Sequence, residues 1–77
     1  MKLNPIQNQQ IVKLTKGREL EYFQIKGNHI YYYFNDGTVL QSKELTEDYV
    51  YWMRLQLGTE PDFLRAVFNL LIEIIKK

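Results

Sequence analysis

Residues 20–41 read LEYFQIKGNHIYYYFNDGTVLQ, and this stretch decides the fold. Two glycine-containing turns, at 27–28 (GN) and 35–37 (NDG), interrupt short runs of β-branched and aromatic residues. Such runs form strands, and glycine at a tight turn supplies the positive φ that hairpins need. The stretch therefore predicts consecutive antiparallel strands, that is, a β-meander.

A two-residue loop at 27–28 would fix the register of the central hairpin. Because successive side chains alternate across a strand, the cross-strand pairs then fall on two faces. The pairs predicted on the apolar face are Ile25–Ile30, Phe23–Tyr32 and Glu21–Phe34. The pairs predicted on the opposite face are Lys26–His29, Gln24–Tyr31 and Tyr22–Tyr33. The next turn leaves two alternatives: a two-residue loop places Val39 on the apolar face, whereas a three-residue loop with a left-handed Gly37 places Leu40 there.

The alternation of apolar residues continues toward the N-terminus, where Val12 and Leu14 are predicted on the core side of a first strand. A turn at Gly17 separates that strand from the next one. The β-meander is therefore predicted over 9–42, with three or four strands, and residues 1–8 are expected to be loosely ordered.

Beyond residue 42 the apolar residues follow helical spacing. A first helix is predicted over 43–57, with Ser42 as its N-cap and Gly58 just beyond its end. The residues predicted on its packed side are Leu45, Tyr49, Trp52 and Met53. A proline within an acidic first turn predicts a second helix over 60–77. The fold class is therefore α+β: a small antiparallel β-meander of three to four strands followed by two C-terminal α-helices packed on the sheet, in a single domain over 1–77.

The second predicted helix is apolar over about two-thirds of its circumference on a wheel of about 100° per residue. Its apolar side chains form two rows: Phe63, Val67, Leu70 and Ile74 in the first, and Leu64, Phe68, Leu71 and Ile75 in the second. The first row can lie on the sheet, and the second then needs another cover, since exposed apolar patches of that size are rare. We predict that a second copy of the chain, or another protein, covers the second row, and that a homodimer is the simplest case. The alternative is that the first predicted helix covers it.

The composition excludes several classes of function. The chain has 77 residues, with ten Lys and Arg against nine Asp and Glu, one His and no Cys. A chain of this length forms one domain, and without Cys it builds neither a disulfide framework nor a thiolate zinc site. His29 alone does not make a metal site. A net charge of +1 does not indicate duplex DNA or an anionic membrane as a partner.

No catalytic set is evident in the sequence. One His and a few scattered hydroxyl side chains do not form the nucleophile and oriented base that covalent catalysis needs. The acids Glu44, Glu47 and Asp48 lie near a predicted helix start, where the helix dipole favours them without any catalytic role. We therefore predict a non-enzymatic protein-interaction or regulatory module, without a cofactor or a metal, whose partner is itself or another protein.

The non-core face of the predicted sheet is unusually rich in tyrosine. Its candidate ligand-binding residues are Tyr22, Lys26, His29, Tyr31 and Tyr33. Exposed rings can stack on unpaired bases while cations contact phosphates, so single-stranded nucleic-acid binding is the alternative function. The other interpretations are that the tyrosines stack on one another or that a helix covers them.

The charges are unevenly distributed along the chain. The first cations, Lys2, Lys13, Lys16 and Arg18, precede every acid, whereas acids predominate between residues 44 and 62. The opening residues lack the apolar run of a secretory signal, and the last helix is shorter than the ~20 residues of a membrane span, so a cytoplasmic protein without a membrane partner is expected. One Ala beside many Ile, Lys, Asn and Tyr is typical of an AT-rich genome, such as that of a phage or mobile element.

Overall fold

The computed structural model of the protein describes residues 2–55 and 62–76. The elements, in chain order, are α1 (Pro5–Leu14), β1 (Leu20–Lys26), β2 (His29–Phe34), β3 (Val39–Gln41), α2 (Glu47–Leu55) and α3 (Asp62–Ile75). The strands form one antiparallel sheet in the order β1-β2-β3. The predicted α+β class, a β-meander followed by two C-terminal helices, is confirmed.

The register of the central hairpin is confirmed over five of its six predicted pairs, from Lys26–His29 to Tyr22–Tyr33. The sixth pair, Glu21 with Phe34, is wrong, because the register shifts between Leu20 and Tyr22 and Leu20 pairs with Phe34 instead. This bulge places a buried leucine on the core face and leaves the glutamate exposed. Burying Glu21 unpaired would have been costly, so the irregularity follows from the side chains.

The second turn follows the three-residue alternative. Gly37 has φ +87°, and the Phe34 N–H donates to the Thr38 carbonyl at 2.9 Å. Leu40 therefore pairs with Tyr32 and packs against the core, whereas Val39 lies half-exposed on the other face. A side chain at position 37 would meet no neighbour, so it is the left-handed backbone that favours glycine there.

The first predicted strand is wrong, because the chain forms helix α1 there. The Asn4 side chain accepts a hydrogen bond from the Gln7 N–H at 2.9 Å, and the Gln7 side chain accepts one from the Asn4 N–H. This capping box, with Pro5 in the first turn, starts the helix. Val12 and Leu14 thus lie on a helix, and the sheet begins only at Leu20. Residues 3–8, expected to be loosely ordered, form the cap and the first turn of α1.

The Asn4→Ala variant tests the capping box. It removes the acceptor for the Gln7 N–H and is expected to lower the free energy of unfolding by about 1 kcal/mol. Asn4→Ser keeps a capping oxygen and is expected to lose only a few tenths of that. Urea unfolding followed by circular dichroism measures both values. Equal stability of the Ala variant and the wild type would contradict the assignment of Asn4 as the cap.

Helix α2 begins four residues later than predicted. The hydroxyl oxygen of Thr46, not that of Ser42, accepts from the first turn, since the Tyr49 N–H donates to it at 3.1 Å. The Ser42 hydroxyl is buried, accepts from the Ile30 N–H and donates to the Lys43 carbonyl, both at 2.9 Å. Ser42 therefore ties the end of β3 to β2. The predicted helix end at Gly58 and the predicted start of the next helix at 60–61 lie outside the described residues.

One hydrophobic core lies between the sheet and the three helices. Helix α3 packs on the apolar face of the sheet, where the Phe63 and Phe23 rings lie 5.9 Å apart. The fully buried Tyr32 donates its hydroxyl hydrogen to the Val67 carbonyl of α3 at 2.7 Å. The sheet is thus joined to α3 by both packing and a buried hydrogen bond.

Candidate protein-binding site

The second apolar row of α3 is covered in part by the protein itself. Leu71 is fully buried and Leu64 nearly so, and only Phe68 and Ile75 of this row are partly exposed. Helix α1 packs against α3 and adds Ile11 to the same core. Leu64 and Leu71 therefore offer no surface to a second chain, and the predicted interface is reduced to its two partly exposed members.

An open groove of about 620 Å³ lies between α3 and the segment that precedes α2. Its floor is apolar, because Leu45 and Leu70 are buried beneath it and Ala66 lies beside them. The other lining residues are Lys43, Glu44, Thr46, Tyr49, Asp62, Arg65, Asn69 and Glu73. An apolar floor with a charged rim is the usual anatomy of a protein-binding surface. We call this surface the α2–α3 groove.

An ion pair spans the α2–α3 groove. The Lys43 Nζ lies 3.5 Å from the Glu73 Oε2, and both side chains are more than half exposed. Exposed pairs of this kind contribute less than about 1 kcal/mol. The pair therefore holds the two sides of the groove weakly and can exchange for contacts with a ligand.

Helix α2 presents large apolar side chains to solvent. Tyr51 is 66% exposed and Leu55 61%, while Tyr49 and Trp52 are each more than one-third exposed. On the helical wheel these four residues occupy an arc of roughly 160°. Tyr49 packs its ring edge-on against Trp52 at 5.7 Å and also lines the α2–α3 groove, so the two surfaces are continuous. We call the four residues the α2 apolar arc.

The sequence-based assignment of the packed side of α2 was partly wrong. Met53 and Leu45 are buried as predicted, but Tyr49 and Trp52 lie on the exposed arc, and Val50 takes their place in the core. The threonine followed by two acids at 46–48 is a helix-start signal. A helix that begins after Thr46 predicts Val50 and Met53, which are spaced i, i+3, on its buried side.

The tyrosine face of the sheet lies opposite the core. The Tyr22 and Tyr33 rings stack at 4.5 Å with an interplanar angle of 13°, as one of the predicted alternatives requires. The Lys26 Nζ lies 3.2 Å from the Tyr33 Oη and within 6 Å of both the Tyr31 and Tyr33 ring centroids. These ring surfaces and the cation are therefore already engaged with one another.

His29 completes that face without forming a reactive pair. Its Nδ1 lies 2.9 Å from the Ser42 carbonyl oxygen. Because a carbonyl oxygen can only accept, the imidazole Nδ1–H is the donor of this hydrogen bond. Its ring meets Tyr31 edge-on at 6.4 Å. The Ser42 hydroxyl group is buried and already hydrogen-bonded to the backbone at both ends, so it does not pair with His29 as a nucleophile pairs with its base. His29 and Ser42 instead hold the strands together.

Comparisons with protein-family models, curated proteins and solved structures found no match. Within residues 2–55 and 62–76, no helix is long and apolar enough to cross a membrane. In the same described ranges, no group of three His, Asp or Glu side chains is placed to hold a metal ion.

Proposed function

We propose that this chain is a small non-enzymatic protein-interaction module that acts as a homodimer and binds through the α2–α3 groove and the α2 apolar arc. The observation that carries the proposal is the exposure of four large apolar side chains on one nine-residue helix, beside a groove with an apolar floor. Tyr and Trp are enriched at the energetically dominant centres of protein interfaces. Contiguous apolar surface of this kind typically marks an interaction site.

The expected affinity follows from the area available. Covering roughly 100 Å² on each of the four side chains of the arc gives about 10 kcal/mol of gross stabilisation at about 25 cal/mol per Å². Association costs about 4–15 kcal/mol in lost translational, rotational and side-chain freedom. The arc alone therefore supports at most weak binding, and contacts in the groove are needed to bring the dissociation constant into the micromolar range.

The tyrosine face gives the alternative, single-stranded nucleic-acid binding, less support. A base that stacks on Tyr31 or Tyr33 would have to displace the Lys26 ammonium group or the neighbouring ring. Nucleic-acid affinity also depends largely on cations that neutralise phosphates. The sheet positions of this face supply one permanent cation, Lys26, so we favour a protein partner.

Sedimentation equilibrium with the fluorescence of Trp52, the chain's one tryptophan, tests the proposal. We expect the wild type to self-associate in the micromolar range, with the Trp52 emission shifting to the blue as the ring leaves water. Tyr51→Ser is expected to raise the dissociation constant at least tenfold, because interface aromatic residues commonly contribute more than about 1.4 kcal/mol. Trp52→Ser, followed by sedimentation alone, is expected to do the same.

Tyr22→Ser is the matched control. Tyr22 is 36% exposed, close to the 38% of Trp52, but it lies on the tyrosine face. Its replacement is expected to leave self-association unchanged, with circular dichroism confirming that each variant is folded. A wild type that stays monomeric at several hundred micromolar, or a Tyr22→Ser variant as weak as Tyr51→Ser, would overturn the proposal.

A further inference from the structure

The outward side of α2 has the spacing of a helix that packs along another helix. Its exposed midline follows the i, i+3, i+4, i+7 pattern, at Asp48, Tyr51, Trp52 and Leu55. The opposite side carries Val50 and Met53, which are buried in the protein's own core. Three of the four midline residues belong to the α2 apolar arc. The arc therefore offers a second helix a continuous row to pack along.

One flank of this row carries opposite charges at its two ends. Glu47 lies in the first turn of α2 and Arg54 in the last, and both are exposed. Because they are seven residues apart, they point within about 20° of each other on the helical wheel, beside Tyr51. The preceding neighbours of Arg54 at i−4 and i−3 are Val50 and Tyr51, not acids. The helix itself therefore does not pair the two charges.

An antiparallel pair of α2 helices would join these charges. A two-fold axis that runs across α2 reverses the helix direction and sets each flank against the same flank of the other copy. Glu47 of each copy then lies beside Arg54 of the other, and the contact is made twice. A two-fold axis along α2 gives a parallel pair instead, in which this flank meets the opposite one, at Trp52. Charge complementarity and the opposed helix dipoles therefore select the antiparallel pair.

We infer that α2 of a second copy of this chain covers the α2 apolar arc, packed antiparallel about a two-fold axis beside Tyr51. The point midway between Glu47 and Arg54 falls between residues 50 and 51, so the two Tyr51 side chains meet at the axis. Tyr51 is also the most exposed residue of the arc, at 66%. Aromatic residues at the centre of an interface commonly dominate its binding energy. The inference rests on the proposed function, since it names the segment that covers the arc and its orientation.

The area of this pairing fits a weak, reversible dimer. Covering roughly 100 Å² on each of the four side chains removes roughly 400 Å² from each copy, against roughly 800 Å² per partner in a standard interface. The α2–α3 groove adjoins the pairing at Tyr49 and supplies further contact area. The two Glu47–Arg54 pairs lie at the rim, where exposed charges set orientation more than affinity. Their effect is therefore largest at low ionic strength.

Charge reversal at either end of α2 tests the inference, by sedimentation equilibrium at low ionic strength. Glu47→Arg sets cation against cation in both contacts, and Arg54→Glu sets acid against acid. Each variant alone is expected to raise the dissociation constant about tenfold. An equimolar mixture of the two variants is expected to restore the wild-type association, since both contacts of the mixed dimer then join opposite charges.

Glu21→Arg is the matched control, because it makes the same charge change at an exposed position of β1. It is expected to leave the dissociation constant unchanged. Glu47→Gln removes the charge without setting a cation against the dipole of α2, and is expected to raise the dissociation constant about threefold. Circular dichroism confirms that each variant is folded.

The inference is overturned if the mixture associates no better than its components, or if Glu21→Arg weakens association as much as Glu47→Arg. Self-association that is lost in Tyr51→Ser but indifferent to Glu47→Gln and to both reversals would refute the antiparallel pairing alone. A monomeric wild type would refute the proposed function as well.

Discussion

The Leu71→Glu variant is expected to be unfolded, not merely monomeric. Leu71 is fully buried where α3 meets the rest of the core. Truncating a buried leucine costs about 2–5 kcal/mol, and an unpaired buried carboxylate adds several kcal/mol more. The sum is comparable to the whole free energy of unfolding of a small domain, about 5–15 kcal/mol. The variant is therefore expected to lose its helical circular dichroism signal and its cooperative urea transition.

The control for Leu71→Glu is the same carboxylate on the exposed side of the same helix. Asn69 is exposed, and Asn69→Glu is expected to change the free energy of unfolding by less than about 0.5 kcal/mol. Phe68→Glu, at a partly exposed position, is expected to fall between the two. If Leu71→Glu retained the wild-type urea midpoint, Leu71 would not lie in the core of the protein.

Unfolding of Leu71→Glu would also show that the same chain, rather than a second copy, buries this part of the second apolar row of α3. The apolar rows predict that two faces of α3 must be buried, and the burial of Phe63 and Val67 against the sheet side agrees with that pattern. The pattern does not indicate what covers the second row. A second copy and an element of the same chain bury leucines equally well. The apolar pattern of α3 therefore does not distinguish between them, and only signals elsewhere in the sequence can.

Helix α1 packs against α3, and the apolar pattern of α1 is ambiguous. Val12 and Leu14 alternate with Lys13 as in a strand, and only Ile11 of the helix is fully buried. The informative signal is polar: Asn4 and Gln7 stand at the spacing of a capping box, with Pro5 between them. Weakly amphipathic helices are recognised by their caps more readily than by their apolar stripe.

The central hairpin was predictable because its determinants are local. The turn at 27–28 alone sets its register, whereas the turn at 35–37 leaves two alternatives open in the sequence, and the left-handed Gly37 of the structure belongs to the three-residue one. The exposed face of α2 was not predictable in the same way. The choice between Tyr49 and Val50 for the core depends on the helix start and on how α2 meets the sheet. A rotation of one helix exchanges core and surface residues, so the exposed face of α2 is set by its tertiary packing.

A second large effect is expected at Tyr32, at high pH. Its hydroxyl group is buried and donates to the Val67 carbonyl oxygen. Burial, with smaller contributions from nearby Tyr49 and Glu73, raises the pKa of Tyr32 far above its ordinary value of 10.0. The folded protein therefore keeps this proton at a pH where the unfolded chain releases it.

The sign of the pH dependence follows from that difference. Below about pH 10 the phenol is neutral in both states, so the full stability is present. Above pH 10 the unfolded chain gives up the Tyr32 proton and the folded chain does not, and stability falls by about 1.4 kcal/mol per pH unit. Tyr32→Phe removes this loss, since phenylalanine has no proton to release. Lysine titration affects wild type and variant alike and cancels in the comparison.

The effect of Tyr32→Phe on the free energy of unfolding is therefore expected to change sign with pH. At pH 7 it loses one buried hydrogen bond and is less stable than the wild type by about 1 kcal/mol. At pH 12 the wild type has lost about 2–3 kcal/mol through Tyr32, and the variant is the more stable protein. Urea unfolding between pH 7 and 12 measures the crossing. Tyr33→Phe, on the tyrosine face, is the control and is expected to show no crossing. Parallel curves for Tyr32→Phe and the wild type would mean that the buried phenol does not keep its proton, and that water reaches the contact between the sheet and α3.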